Sequence, residues 1–137
     1  MKSYVCGFAF SKDKRNVLLI KKNRPDWQKG LFNGIGGHIE NGEIPSQAMV
    51  REFCEKAGYK TYFDSWIPLI KILDSSIFHE WEVYFFFTFQ DIECCRTMTD
   101  EEIIIIPVED LFQYTIIKNL KWLIPMALDK DLKEIFY

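Results

Sequence analysis

The sequence has no excess of positive charge: 17 Lys+Arg stand against 20 Asp+Glu, for a formal net charge of −3. A pI near 5.4 argues against a general nucleic-acid coat, which needs a basic face, so no stable nucleic-acid binding is expected. Long apolar runs are missing as well. Stretches such as Ile103 to Val108 fall far short of the roughly 20 residues that span a bilayer, so no membrane association is expected. Met1-Lys2-Ser3-Tyr4 leads directly into a strand-like segment, without the apolar core of a secretory leader. The cysteines Cys6, Cys54, Cys94 and Cys95 lack CxxC spacing and fit neither a zinc site nor a secreted disulfide framework. Cys54 is expected to pack as a small hydrophobe. A reduced, cytoplasmic protein is the expectation.

Glycine is scarce outside one segment. Lys21 to Glu43 holds Gly30, Gly34, Gly36, Gly37 and Gly42, five of the seven in the chain, together with Pro25. Clustering of this kind marks a loop whose backbone must approach something closely. What the chain has in quantity is apolar and aromatic side chains: 48% apolar, with 12 Phe, 6 Tyr and 4 Trp. At 137 residues this is enough to bury one core, so a single domain over 1–137 is expected.

Tyr4 to Phe10 and Val17 to Ile20 read as strands joined by a polar turn. After the glycine segment, Pro45 suits the first turn of a helix that Gly58 would end. Thr61 to Leu73 reads as one or two strands broken at Pro68, Trp81 to Phe89 as a central strand, and Ile103 to Val108 as a buried strand. Val108 to Phe112 suits a short helical turn. Asn119 to Leu128 has helical apolar spacing, with Pro125 as a kink. The order predicts a mixed α+β protein or an α/β/α sandwich.

The informative stretch is Gly36-Gly37-His38-Ile39-Glu40-Asn41-Gly42-Glu43 and the helix with Arg51-Glu52-Phe53-Cys54-Glu55-Lys56-Ala57-Gly58-Tyr59. Glu52 and Glu55 are three apart and share a helix face. Such pairs are usually solvated. Here the glycine turn precedes the helix and can fold back to set carbonyl oxygens beside the carboxylates. That makes a hard oxygen site suited to Mg²⁺ or Mn²⁺, completed by substrate phosphates.

The spacing resembles the Nudix box, G-x5-E-x7-R-E-U-x-E-E-x-G-U, with U a bulky apolar residue. Gly37, Glu43, Arg51, Glu52, Glu55 and Gly58 fall on fixed positions, and Phe53 and Tyr59 on the U positions. Six such matches by chance would be expected at a level on the order of 10⁻⁵ for a chain of this length. The resemblance implies a Nudix α/β/α sandwich with a mixed sheet, its box helix following the Gly-rich loop. It also implies a divalent-metal hydrolase of nucleoside diphosphates linked to another moiety. Glu52 and Glu55 would be ligands or the activating base, Arg51 would pair with Glu43 or Glu52, and the Gly36 or Gly37 carbonyl would complete the shell. One position departs: Lys56 stands where the family commonly has a second glutamate ligand. Glu101, in the cluster Asp100-Glu101-Glu102, could replace it or simply solubilise a strand end.

Upstream, Asn33-Gly34-Ile35-Gly36-Gly37 resembles the W-N-G-x-G-G stretch of MutT-type oxidised-purine triphosphatases. Val17-Leu18-Leu19 with Lys21-Lys22, the helix Trp122-Leu123-Ile124-Pro125 and the terminal Phe136-Tyr137 are similar to the same subgroup. By that resemblance Asn33 reads the purine edge, Trp27 lines the base pocket and Lys22 approaches phosphate. Residues 11–29 carry seven Lys/Arg against two Asp, which suits phosphate. Asn119-Leu120 stands about where the mammalian members have an acidic pair, so oxidised-guanine specificity does not transfer. His38, at a position commonly lysine in the subgroup, is expected at the surface.

The leading expectation is Mg²⁺-dependent hydrolysis of a nucleoside triphosphate to the monophosphate and pyrophosphate. ADP-ribose, a dinucleoside polyphosphate or capped RNA are the other substrates for the fold. A nucleotide-binding sensor with Lys56 marking lost catalysis is the non-enzymatic reading. Monomer and homodimer are both open.

Overall fold

The computed structural model describes residues 1–132; the aromatic tail Phe136-Tyr137 lies outside them. Strand β1 (Lys2–Ser11) runs through the middle of a mixed sheet. Along its whole length it pairs in parallel with β6 (Trp81–Gln90), which in turn pairs antiparallel with β5 (Ile67–Leu73). On its other side β1 changes partner. Its first half meets β4 (Ile35–His38), and its second half meets β2 (Asn16–Lys21). β2 diverges to pair with β7 (Ile103–Pro107) and with the two-residue β3 (Phe32–Asn33).

Period-two alternation gives the sheet two apolar faces. Val5, Ala9, Leu18, Ile20, Ile35 and Phe86 face helix α1 (Pro45–Ala57) and pack on its Ala48, Met49, Phe53 and Ala57. Cys6, Phe8, Phe10, Val17, Leu19 and Phe85 face the other way, onto Leu120, Leu123 and Ile124 of α2 (Leu120–Leu128). One helix therefore covers each face, and the expected α+β sandwich is the observed one.

α1 begins as its sequence requires. Pro45 occupies the first turn, where its missing N–H costs nothing, and the Ile44 N–H donates to Gln47 Oε1 at 3.0 Å. It ends at Gly58, whose φ of +65° is left-handed and whose N–H donates to the Cys54 carbonyl. Cys54 itself is exposed, against the expectation that it packs: it follows Phe53, and one helical step of about 100° turns it away from the core.

Two expectations change in detail. The glycine segment contains β3 and β4 rather than loop alone, and its Gly34 and Gly36 are there for close approach to β1. A Cβ on Gly36 would lie 1.8 Å from the Val5 carbonyl oxygen. The break expected at Pro68 is a register irregularity between Pro68 and Ile70 inside β5, following a short helical turn over Phe63–Ser65.

Candidate active site

At the end of the sheet where β4 turns toward α1, Arg51 organises the acids. Its Nε and Nη2 donate to the two oxygens of Glu43 at 2.8 and 2.9 Å, a bidentate fork. Nη1 donates to Glu52 Oε1 at 2.9 Å, and Nη2 also donates to the His38 carbonyl at 2.9 Å. Arg51 thus ties the loop before α1 to the carboxylate face of the helix. Paired charge-assisted bonds of this kind fix orientation as well as energy. The Arg51 fork holds the Glu43 carboxyl below its ordinary range, and the same bonds raise Arg51 further above its own.

Glu52 is buried, 7% exposed. It fits because Gly37 has no side chain: a Cβ there would stand 2.4 Å from the Glu52 carboxyl. Glu55, on the same face and more exposed, has one long contact to Arg51 Nη1 at 3.5 Å. The expected partners Glu43, Arg51, Glu52 and Gly37 are therefore brought together, with Glu55 at the outer edge.

Lys56 sits inside this cluster. Its Nζ donates to the Gly36 carbonyl and lies 3.7 Å from Glu52 Oε2. The sequence marks Lys56 as a departure but does not place its head; only the packing of α1 against β4 brings the Gly36 carbonyl to it. The Gly36 carbonyl, expected to complete a metal shell, is engaged by this ammonium.

The other expected residues fall into two groups. Lys22 and Glu101, assigned by resemblance to phosphate and to metal, pair with each other: Lys22 Nζ is 3.1 Å from Glu101 Oε1, and the Asn23 N–H donates to Oε2 at 2.7 Å. Burial pushes the Glu101 carboxyl up, but the Asn23 and Lys22 bonds outweigh it and hold the group below its ordinary range. Asn33 accepts the Gly34 N–H at 2.8 Å, and its Nδ2 donates to Gln28 Oε1 at 3.2 Å. Gln28 had no sequence signal beyond its place after Trp27, which is 69% exposed. Cys6, 3.7 Å from Asn33 Oδ1, is pushed up to about 12 by burial, so it is a packed thiol rather than a nucleophile. Asn119, at the start of α2, has a buried side-chain oxygen without a hydrogen-bond partner among the described residues.

Among the described residues, no three His, Cys, Asp or Glu side chains converge on one point as a metal cluster, and no helix is long and apolar enough to cross a membrane. The fold and this arginine-ordered carboxylate helix beside Gly37 have the arrangement that the Nudix resemblance implies, and the family match below supports a Nudix hydrolase acting on phosphoanhydride bonds. The NUDIX domain model matches residues 2–126, and the chain belongs to the Nudix family. The family binds nucleotide substrates and generally uses divalent metals.

Solved structures share the fold. A MutT from work on the Aliivibrio salmonicida and Vibrio cholerae proteins superposes with a TM-score of 0.69 at 22% identity, over 92% of this chain and 96% of that one. The NUDIX domain of Shewanella oneidensis NrtR, complexed with ADP ribose, gives 0.75 at 19% identity, over 91% and 84%. NrtR complexed with a 27mer DNA gives 0.72 at 19%, over 90% of this chain and 59% of that one.

Proposed function

We propose that this chain hydrolyses a nucleoside triphosphate to the nucleoside monophosphate and pyrophosphate, with Mg²⁺ and with Mn²⁺ as a substitute. The observation that carries this reading is the Arg51 fork, which aligns Glu43 and Glu52 beside Gly37 at the mouth of the helix face. The donor set fits a single hard cation rather than a cage: Glu52 and Glu55 offer oxygens on one face, and phosphate and water would complete the sphere. When bound, such a cation neutralises phosphate charge and favours attack by water.

The chain's own residues do the rest. Arg51 keeps Glu52 from swinging away and holds the loop through Glu43 and the His38 carbonyl. Glu55 is exposed and loosely held, and whichever of Glu52 and Glu55 is not bound to the cation takes the proton from the attacking water as the phosphorus–oxygen bond to pyrophosphate breaks. Trp27, exposed on the loop between β2 and β3, offers a stacking face for a base, and Asn33 offers an amide for its edge. Lys22 is better read as the counter-ion of Glu101: moving it to phosphate would strand a buried carboxylate, at a cost of roughly 3–5 kcal/mol. We read residues 1–137 as one working unit, cytoplasmic, as monomer or homodimer, with no nucleic-acid partner.

The test is phosphate release from a panel of normal and oxidised triphosphates, ADP-ribose and dinucleoside polyphosphates, with and without inorganic pyrophosphatase. A triphosphate signal that requires both Mg²⁺ and pyrophosphatase, and that Glu52→Gln abolishes, is the expected result. Turnover of ADP-ribose alone would keep the family and replace the substrate. Nucleotide binding without turnover of any of them would favour the sensor.

A further inference from the structure

We propose that the Lys56 ammonium is a built-in cation that occupies the inner cation position of this site and takes the place of one divalent ion. The inference rests on the hydrolase reading for its purpose, though not for its geometry. Lys56 Nζ is bonded to the Gly36 carbonyl and lies 3.7 Å from Glu52 Oε2, with side-chain exposures of only 18% and 10%. Those two oxygens, a backbone carbonyl and a carboxylate, are hard donors of the sort a Mg²⁺ or Mn²⁺ ion takes.

Neither oxygen is free to move off. Gly36 is pressed so closely on β1 that a Cβ would meet the Val5 carbonyl oxygen at 1.8 Å, which pins its backbone. Glu52 is held from its other side by Arg51 at 2.9 Å. A divalent ion would need these oxygens at about 2.0–2.1 Å, inside the volume that the ammonium fills. Glu101, the acid that could have filled the vacancy in the ligand set, is buried at 3% exposure against Lys22 and the Asn23 N–H.

Charge arithmetic makes the exchange self-consistent. A glutamate at position 56 with one bound divalent ion sums to +1, and a lysine alone is also +1. The field presented to a phosphate chain is kept in sign and size while one ion is removed from the requirement. The consequence is a site with one fewer exchangeable metal, whose inner charge a chelator cannot strip.

The experiment counts bound Mn²⁺ on the folded full chain without nucleotide, by equilibrium dialysis with electron paramagnetic resonance of the free ion. Lys56→Glu is expected to bind one more Mn²⁺ per chain than the wild type, and Lys56→Arg to keep the wild-type count. Equal counts in the wild type and Lys56→Glu would overturn the proposal. Should Lys56→Glu fail to give a native circular dichroism spectrum, Lys56→Gln serves in its place. It is expected to gain the same ion with at least tenfold weaker affinity than a carboxylate site, and a wild-type count there would equally overturn the proposal. The nucleotide panel reports separately on hydrolysis. An extra ion in the variant with no turnover in the wild type would sustain the built-in cation and sink the hydrolase reading, whereas turnover with equal counts would do the reverse.

Discussion

Arg51 is the residue on which the acids depend, and its partner Glu43 gives the most direct check. Glu43→Gln keeps the shape but weakens the fork, and an outer-sphere change of this kind is expected to lower kcat/KM by about 10–100-fold. The same substitution alters acid stability. The folded Glu43 carboxyl lies below its ordinary range, so its stabilising contribution is present above the unfolded pKa of about 4.3. It is lost as pH falls through the folded value. Urea midpoints measured from pH 7 down to pH 2 should therefore fall more steeply in the wild type than in Glu43→Gln; parallel curves would contradict this. Gly37 and Gly42 separate steric from conformational demands. Gly37→Ala drives a methyl into the Glu52 carboxyl at 2.4 Å, with an expected loss of activity and a destabilisation of about 1–3 kcal/mol. Gly42 has a φ of +86° but open space around it, so Gly42→Ala is expected to cost about 1–2 kcal/mol in stability and to spare turnover. Kinetics beside denaturant titrations of the two variants decide between these patterns.

At the scale of elements, α1 carries both the core and the chemistry, and its two ends are set differently. Pro45 and the Gln47 bond start it, while Gly58 in the left-handed region ends it against Arg96 and Met98, with the Met98 sulfur 3.0 Å from where a Cβ would be. Gly58→Ala combines strain with a close contact and is expected to destabilise by about 1–2 kcal/mol. It should leave KM unchanged, because the cap lies beyond the carboxylate face; a rise in KM would show that the cap positions Glu55. The divided course of β1, with β4 on its first half and β2 on its second, holds Gly36 and Gly37 of β4 beside α1, where the missing Gly37 side chain leaves room for the Glu52 carboxyl.

The whole molecule is a sheet sealed on both faces, and the α2 seal is remote from the acids. Leu123 is fully buried in that seal. Leu123→Ala is expected to lower unfolding free energy by about 2–5 kcal/mol, with turnover per folded molecule unchanged, as measured by denaturation and by activity at low temperature. Equal losses of stability and of turnover would tie α2 to the site, where the unpartnered Asn119 oxygen would be the first group to test.

The sequence by itself was enough for strands at β1, β2 and β6 and for two helices, because short apolar and aromatic runs bounded by turn residues, the Pro45 start and Gly58 end of α1 and the apolar spacing of α2 are local patterns. Glu52 and Glu55 were legible too, since a three-residue spacing sets them on one helix face, while Arg51 and Glu43 were legible through the resemblance to the Nudix box and not through spacing alone. What it could not show depends on which strand lies beside which. β4 was hidden because its Gly36 and Gly37 have little strand propensity, and its place rests on close approach to β1, whereas β3 is two residues long, too short to carry a pattern, and is fixed by its pairing with β2. Lys22 finds Glu101, 79 residues away, only because β2 pairs with β7. Lys56 finds the Gly36 carbonyl only because β4 passes under α1. Charge partners distant in the chain are chosen by strand order, and strand order is a property of the packed sheet.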